Sequence, residues 1–178
     1  MSLAAGIPLK KLQQVLFQVI QLARIMPNTP TKIQKAVVGY CVGPKAIALE
    51  TTIRNLLSSL GLLVPVTVGE MFESLTVASG AGTGFVLEFM SYWTEWLLDY
   101  GFDEITAKAV TVQTFLGAAQ LAEVSSEMNL EELQNQVVSK KGVTAAGLDS
   151  IRELEIERVL RISFEKAVLR DRELGLRT

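Results

Sequence analysis

Residues 137–148 read Val137-Val138-Ser139-Lys140-Lys141-Gly142-Val143-Thr144-Ala145-Ala146-Gly147-Leu148, which indicates a short loop between two helices. Thr144 is a suitable N-cap, and the two alanines after it favour a first helical turn. The first N–H groups of a helix lack partners within it and carry partial positive charge. Two lysines and a hydroxyl beside them are compatible with an anion site for a phosphate or a carboxylate. The alternative is an ordinary junction with solvated lysines, which local sequence alone favours.

Composition limits the chemistry of this chain of 178 residues. Hydrophobic residues make up 49% and charged residues 20%, an apolar content that predicts an interface with a partner. The net charge of -2 argues against a general nucleic-acid binder. Because there is no histidine, Ser-His and Cys-His nucleophilic chemistry and the usual zinc sites are excluded, and no metal is expected. The single cysteine, Cys41, fits a reducing cytoplasm and is expected to be a small buried hydrophobe.

The first 69 residues alternate between helical and strand patterns, as in a layered α/β domain. The apolar spacing predicts a helix over 8–21 and strands over 22–26, 36–42 and 62–68. A second helix is expected to open at Gly43-Pro44. Its buried face is expected to carry Leu49, Ile53, Leu56 and Leu60. Pro65 predicts that the third strand lies at the edge of the sheet.

After Glu70 the pattern contains no further strand. Helices are predicted over 71–78, 85–100, 103–124 (with Asp103 as N-cap), from Asn129 (with Glu132 completing a capping box), from about 145, and over 157–174. Apolar and aromatic residues surround the 85–100 helix almost completely, so it needs partners on more than one side. The 105–122 stretch is too polar to cross a membrane, and a buried interface helix is the better interpretation.

Two features of this helical part have competing interpretations. Residues 79–84 are predicted to form a loop with three glycines. It lacks the Lys-Ser/Thr of a phosphate-binding loop, and glycines that let helices cross closely explain it equally well. Trp93 and Trp96 are more typical of a core or an interface than of a base-stacking platform, because no basic residues accompany them.

Three blocks of residues, in order along the chain, follow a known pattern. Residues 24–30 read Arg-Ile-Met-Pro-Asn-Thr-Pro. Residues 79–85 read Ser-Gly-Ala-Gly-Thr-Gly-Phe, against a family pattern of Ser-Gly-Ser-Gly-Pro-Ala-Tyr. The 137–148 stretch corresponds to Ser-Pro-Gly-Gly-Thr-Thr, followed by a helix and Gly-Leu. In these blocks, and in scattered matches over nearly its whole length, the chain resembles pyrroline-5-carboxylate reductases.

The resemblance implies an α+β, mainly α fold. Residues 1–69 would be the end of a Rossmann-type cofactor-binding domain, and residues 70–178 an all-helical dimerisation and substrate-binding domain. Family members reduce 1-pyrroline-5-carboxylate to proline with hydride from NADPH or NADH, and form homodimers or larger rings. Their glycine-rich pyrophosphate turn has no match in this chain. Most of the cofactor domain is therefore expected to be absent, and the chain alone is expected to be inactive. Residues 4–7 resemble the end of a later Rossmann strand.

Site residues follow from the same resemblance. Met26, Pro27 and Asn28 would lie beside the nicotinamide. Ser139, Gly142, Val143 and Thr144 would form the substrate pocket, in which backbone N–H groups would bind the substrate carboxylate. The Thr144 hydroxyl would hydrogen-bond near the imine and is the candidate catalytic group. The expected partners are a small cyclic imino acid and a second copy of the chain, with no nucleic acid and no membrane.

The chain departs from the family pattern at the substrate-binding block. Lys140-Lys141 replaces Pro-Gly, Val143 replaces the first of two threonines, and Thr83-Gly84 replaces Pro-Ala. Two alternatives to the reductase hypothesis follow. The chain could belong to a paralogue that reduces another cyclic imine, or it could be a helical dimerisation module that has lost catalysis.

Overall fold

A computed structural model describes residues 1–4, 6–19, 21–66 and 69–177, without the side chain of Arg177. The chain forms two compact units. The first comprises Met1–Phe85 and Ile162–Thr178, and the second comprises Val86–Arg161. Within the described residues the structure is mainly helical, with a small sheet in the first unit, which confirms the predicted α+β, mainly α class.

Three strands form the sheet: β1 (Ala23–Pro27), β2 (Ala36–Val42) and β3 (Gly61–Pro65). The central strand β2 runs antiparallel to β1 and parallel to β3. The strand over 36–42 is confirmed with its bounds, and β3 lies at an edge of the described sheet, as Pro65 predicted. Residues 67 and 68 of the predicted third strand, residue 20 of the first predicted helix and residue 5 lie outside the described part.

The sheet supplies the main core of the first unit. Ala23, Ile25, Val38 and Tyr40 are at most 4% exposed, and Ile53 from helix α2 (Leu49–Leu57) is fully buried among them. Strand β2 is buried on both faces, which explains its continuous apolar sequence. Cys41 is also buried, as predicted, in a second cluster that includes Leu9, Leu22 and Phe72.

Two helices of the first unit are shorter than predicted. Helix α1 spans only Leu9–Val15, and Leu16 and Val19, which the predicted helix over 8–21 included, lie beyond it and are 41% and 45% exposed. Helix α2 begins at Leu49 rather than at Pro44, because turns occupy the residues between them. Leu56 is exposed, whereas Leu57 packs against the core. The prediction for Leu56 was wrong because the face that Leu49 and Ile53 turn toward the core continues four residues on, at Leu57.

The predicted loop at 79–84 is wrong. Helix α3 (Glu70–Leu75) continues into a π-helical segment (Thr76–Ala81) and then into helix α4 (Gly82–Asp99) without a break. The glycines suggested a loop, but side-chain hydroxyls bond to the helix itself. Thr76 Oγ1 donates to the Phe72 carbonyl at 2.8 Å and Ser79 Oγ donates to the Leu75 carbonyl at 2.7 Å. Such bonds to the preceding turn bend a helix without ending it.

The second unit is formed by helices, and two of them begin at the predicted capping residues. Helix α5 spans Glu104–Val124, and its N-cap Asp103 accepts from the Thr106 N–H at 3.0 Å. Helix α6 spans Leu130–Val137 and begins at the predicted capping box of Asn129 and Glu132. Helix α7 spans Val143–Glu153, and helix α8 spans Ile156–Arg177, of which the part from Ile162 onward belongs to the first unit. Among the described helices, none has the length and apolar character needed to cross a membrane.

Candidate functional site

The first predicted group, Met26, Pro27 and Asn28, lies at the end of β1, where all three residues are half-buried. The Asn28 amide is fixed in place by three contacts. Its Oδ1 accepts from the Val37 N–H at 2.9 Å, while its Nδ2 donates to the Ser79 carbonyl at 3.1 Å and to Thr83 Oγ1 at 3.5 Å. These contacts join the end of β1 to the π-helical segment and the start of α4.

Two of the three sequence blocks therefore meet in space. Met26 lies over the π-helical segment as well: a Cβ placed on Gly80 would be 3.4 Å from Met26 Cε. The sheet admits this packing because Gly39 of β2, which pairs with Met26, leaves room for Leu75. A Cβ at Gly39 would lie 2.5 Å from Leu75 Cδ2, too close for any larger residue without movement.

The second predicted group belongs to the second unit and surrounds the start of α7. A tight turn closes at Gly142, whose N–H donates to the Ser139 carbonyl at 3.0 Å. Gly142 is the N-cap, and α7 begins at Val143. The prediction that Thr144 is the N-cap was wrong: Thr144 is the second residue of the helix. Gly142 takes the cap position because a Cβ there would collide with Ser139 Oγ.

The start of α7 presents backbone donors without a side-chain cap. The N-cap Gly142 provides no side-chain hydrogen bond to the N–H groups of the first turn. The Gly142 carbonyl accepts from the Ala146 N–H at 3.2 Å. The N–H groups of the first turn therefore remain available for an anion. Ser139 and Thr144 are exposed beside them, and Gly142 is half-buried.

The residues that depart from the family pattern have unusual surroundings. Lys141 has a φ of 57°, the left-handed conformation that glycine adopts most easily. Val143 is 93% exposed at the first position of α7, where a hydroxyl-bearing side chain would be better solvated. Lys140 and Lys141 are both exposed. The lysines add positive charge next to the helix start without being buried.

A buried charged cluster in the first unit was missed by the sequence analysis. Arg24 is 5% exposed, and its guanidinium lies 4.1 Å from the centre of the Phe72 ring. Its Nε and Nη2 atoms have no hydrogen-bond partner. Burial lowers the pKa of Arg24, and burial also raises the pKa of Asp171, which lies near it. Both line a cavity of about 1040 Å³. The sequence signal that could have revealed this cluster was a single arginine, Arg24, inside an otherwise apolar strand.

The described residues contain no group of three or more acidic, cysteine or histidine side chains that could hold a metal ion. Cys41 is buried, and burial raises the pKa of its thiol. A thiol in this state is a poor nucleophile, because the thiolate is the reactive form.

The fold is that of a mainly helical α+β protein in which a Rossmann-type α/β part is followed by a helical part. A family profile described as pyrroline-5-carboxylate reductase dimerisation matches residues 69–174. The chain therefore belongs to the pyrroline-5-carboxylate reductase family, as the sequence blocks indicated.

Curated relatives agree with this assignment. Over 175 residues the chain is 31% identical to the pyrroline-5-carboxylate reductase of Pseudomonas aeruginosa, covering 98% of the chain and 64% of that protein. It is 27% identical to the enzyme of Pasteurella multocida, covering 97% of the chain and 63% of that protein. The chain thus spans less than two thirds of the length of these relatives.

Solved structures show the same fold. A pyrroline-5-carboxylate reductase from Coxiella burnetii matches with a TM-score of 0.90 at 24% identity, covering 98% of this chain and 64% of that one. The Plasmodium falciparum pyrroline carboxylate reductase with NADP bound matches with a TM-score of 0.89 at 22% identity, covering 98% and 70%.

Proposed function

We propose that this chain contributes to the NADPH- or NADH-dependent reduction of 1-pyrroline-5-carboxylate to L-proline, in proline biosynthesis. The observation that carries the proposal is the family match over residues 69–174, which includes the whole of the 139–144 group. The NADP bound in the Plasmodium structure supports the cofactor class. The proposal retains the domain division at 1–69 and 70–178, a homodimer or larger homo-oligomer formed by the helical domain, and a cytoplasmic location.

In this proposal the start of α7 binds the substrate carboxylate. The N–H groups after Gly142 carry the positive end of the helix dipole, and charge-assisted hydrogen bonds to them would fix the substrate's orientation. Ser139, Gly142 and Val143 shape the pocket around the carboxylate. Thr144 is proposed as the catalytic hydroxyl, because it is exposed at the second position of the helix, beside the proposed carboxylate site. A hydroxyl placed there can hydrogen-bond to the imine nitrogen as charge on it changes.

On the cofactor side, Met26, Pro27 and Asn28 are proposed to border the nicotinamide. Met26 and Pro27 are half-buried and mainly apolar, which fits one face of a flat ring. The cofactor supplies hydride when bound. The chain itself contributes positioning. The apolar surface of Met26 and Pro27 would exclude water, and the rigid end of β1 would hold the nicotinamide ring at a fixed distance from the strand.

The direct test uses the full-length gene product with 1-pyrroline-5-carboxylate and follows NAD(P)H oxidation. Turnover that falls about tenfold to a hundredfold in Thr144→Val and is largely kept in Thr144→Ser would support the catalytic hydroxyl. The valine variant keeps the shape of the threonine, so a loss specific to it identifies the hydroxyl. Absence of turnover in the unmodified protein, together with no binding of proline or its analogues, would reject the proposal.

A second candidate is a paralogous reductase that acts on a more anionic cyclic imine. The exposed Lys140 and Lys141 beside the start of α7, and the exposed Val143, favour it. Replacing Lys140-Lys141 with Pro-Gly in the full-length protein distinguishes the two. Improved kcat/KM with 1-pyrroline-5-carboxylate would indicate that the lysines had shifted the substrate preference, and an unchanged value would remove the reason for this candidate.

A further inference from the structure

We propose that Asn28 is a positioning residue whose side-chain amide holds the π-helical segment (Thr76–Ala81) in place and thereby fixes Met26. The inference rests on the proposed function for its relevance to the cofactor, because Met26 is proposed to border the nicotinamide. It adds to the place proposed for Asn28 beside the nicotinamide a role within the chain, carried by its side-chain amide.

The hydrogen-bonding capacity of the Asn28 amide is used within the chain. An asparagine side chain offers two N–H donors and one carbonyl oxygen. Both donors of Nδ2 are engaged, by the Ser79 carbonyl at 3.1 Å and by Thr83 Oγ1 at 3.5 Å. The oxygen accepts from the Val37 N–H at 2.9 Å. The opposite amide orientation would set the NH₂ group against the Val37 N–H, so the contacts themselves fix which way the amide points.

The π-helical segment needs such support. At its end the Gly82 N–H donates to the Val77 carbonyl, five residues back instead of four. Short π-helical turns within α-helices are uncommon and often mark functional sites. The Ser79 carbonyl inside this segment accepts from two side chains, Asn28 Nδ2 at 3.1 Å and Thr83 Oγ1 at 3.4 Å. Asn28 is therefore the contact from outside the helix that favours the wider turn at this point.

Met26 is coupled to the same segment by packing. A Cβ on Gly80 would lie 3.4 Å from Met26 Cε, the edge of ordinary van der Waals contact. Gly80 is one residue after Ser79, so a change in the turn that displaces the Ser79 carbonyl also moves the surface under Met26. Asn28 thus fixes the position of the Met26 side chain over the helix through its hydrogen bond to the Ser79 carbonyl.

The first experiment tests the placement on the 178-residue chain, without any assay of activity. In the unmodified chain, NMR is expected to show a nuclear Overhauser contact between the Met26 methyl group and the Gly80 Hα. Asn28→Ala is expected to abolish this contact and to shift the Gly82 amide resonance. Asn129→Ala is the matched control: it removes another asparagine with a structural hydrogen bond, in the second unit, and leaves the Met26 contact intact. Persistence of the contact in Asn28→Ala would overturn the proposal.

A second variant separates this role from a general loss of stability. Asn28→Asp keeps an acceptor for the Val37 N–H but replaces the donor with a carboxylate that faces the Ser79 carbonyl. Since only the protonated carboxyl can donate to that carbonyl, the Met26–Gly80 contact is expected at acidic pH and lost at neutral pH. A contact equally strong at both pH values would show that the Nδ2 donor does not hold the segment.

The full-length protein connects the placement to function. Asn28→Ala is expected to raise the KM for NAD(P)H about fivefold to tenfold, the effect of one misplaced contact, with a smaller change in the KM for substrate. Wild-type protein without turnover would reject the proposed function, whereas the NMR contacts would still decide the placement. An unchanged KM for NAD(P)H in an active Asn28→Ala variant would reject the link from Asn28 to the cofactor.

Discussion

The two compact units use their apolar residues in different ways. The first unit encloses a core in which Ala23, Val38 and Ile53 are fully buried by their own neighbours. The second unit encloses little: Leu97, Ala107 and Leu133 are its buried hydrophobic residues within the described part, while many large apolar side chains on α4 and α5 are exposed. The same composition thus produces a self-contained core in one unit and an open apolar surface in the other.

The aromatic residues of α4 show what this difference means. Trp93 packs edge-on against Phe115 with ring centres 5.5 Å apart, and Trp96 packs against Tyr100 at 4.6 Å. Even so, Trp93 and Trp96 remain 48% and 55% exposed. Apolar patches of this kind are rare on monomers and usually mark an interface. The open apolar surface of the second unit therefore supports the homo-oligomer proposed above.

The largest effect should come from the enclosed core. Ile53→Ala removes a fully buried side chain and is expected to lower the unfolding free energy of the chain by about 3–4 kcal/mol. Leu56→Ala, on the same helix but 56% exposed, serves as the control and should cost well under about 1 kcal/mol. Urea denaturation followed by circular dichroism measures both. Equal losses would show that burial of Ile53 in the core of the first unit does not set the cost of the substitution.

The next effect should appear only in assembly. Trp96→Glu places a charge on the open apolar surface and is expected to weaken self-association about a hundredfold, equivalent to about 2.7 kcal/mol. Analytical ultracentrifugation across a concentration series measures the dissociation constant. Ile33→Glu adds the same charge at a 71% exposed position of the first unit and should leave association unchanged. A stable monomer at micromolar concentration in the unmodified chain would refute the proposed homo-oligomer.

This contrast also explains which features the sequence could predict. Strand β2 and the capping box of α6 were predictable because their signals are local: a continuous apolar run, or an Asn and a Glu three residues apart. The π-helical segment was not predictable, because a stretch with three glycines is more typical of a loop than of a helix. The contact that stabilises the segment comes from Asn28, 51 residues away from Ser79.

The same distinction, between local signals and contacts of residues distant in sequence, applies to the candidate site. The resemblance identified the 24–30 and 79–85 blocks separately, but only the fold shows that Asn28 bonds to Ser79 and Thr83. The assignment of Thr144 as N-cap failed because Thr and Gly are about equally good N-caps, and the close approach of Ser139, which favours glycine at position 142, depends on how the turn folds. Arg24 was missed because burial of a charge depends on residues distant in sequence, such as Asp171.

A smaller effect concerns the rim of the enclosed core. Tyr40 is 1% exposed, and its hydroxyl donates to Glu50 Oε1 at 2.8 Å. Burial and this bond raise the pKa of Tyr40, whereas bonds from Tyr40 and Arg54 lower the pKa of Glu50. The Tyr40 contribution to stability is therefore present below the ordinary tyrosine pKa and is lost as the pH rises through the raised value. The Glu50 contribution is present above the ordinary glutamate pKa and is lost as the pH falls through the lowered value.

Tyr40→Phe should cost about 1 kcal/mol at neutral pH and should reduce the alkaline loss of stability. Glu50→Gln is the matched control, because it keeps an acceptor for the hydroxyl while removing the charge. It should flatten the acid side of the stability profile and leave the alkaline side in place. Denaturation midpoints measured from acidic to alkaline pH decide this, and a profile unchanged in both variants would show that the pair does not contribute.

The smallest expected effect is found in the open unit, at the turn before α7. Lys141 has a φ of 57°, a conformation that costs an L-residue about 1 kcal/mol or more and glycine almost nothing. Glycine also increases the entropy of the unfolded chain, which offsets part of this gain. Lys141→Gly is therefore expected to stabilise the second unit by about 0.5 kcal/mol. Lys140→Gly removes the same charge from the neighbouring position, whose φ is not positive, and should destabilise by about as much. Thermal unfolding of the two variants side by side separates backbone strain from charge. A gain of stability in both would mean that removing a lysine charge from this turn, rather than relief of the left-handed backbone, is the stabilising change.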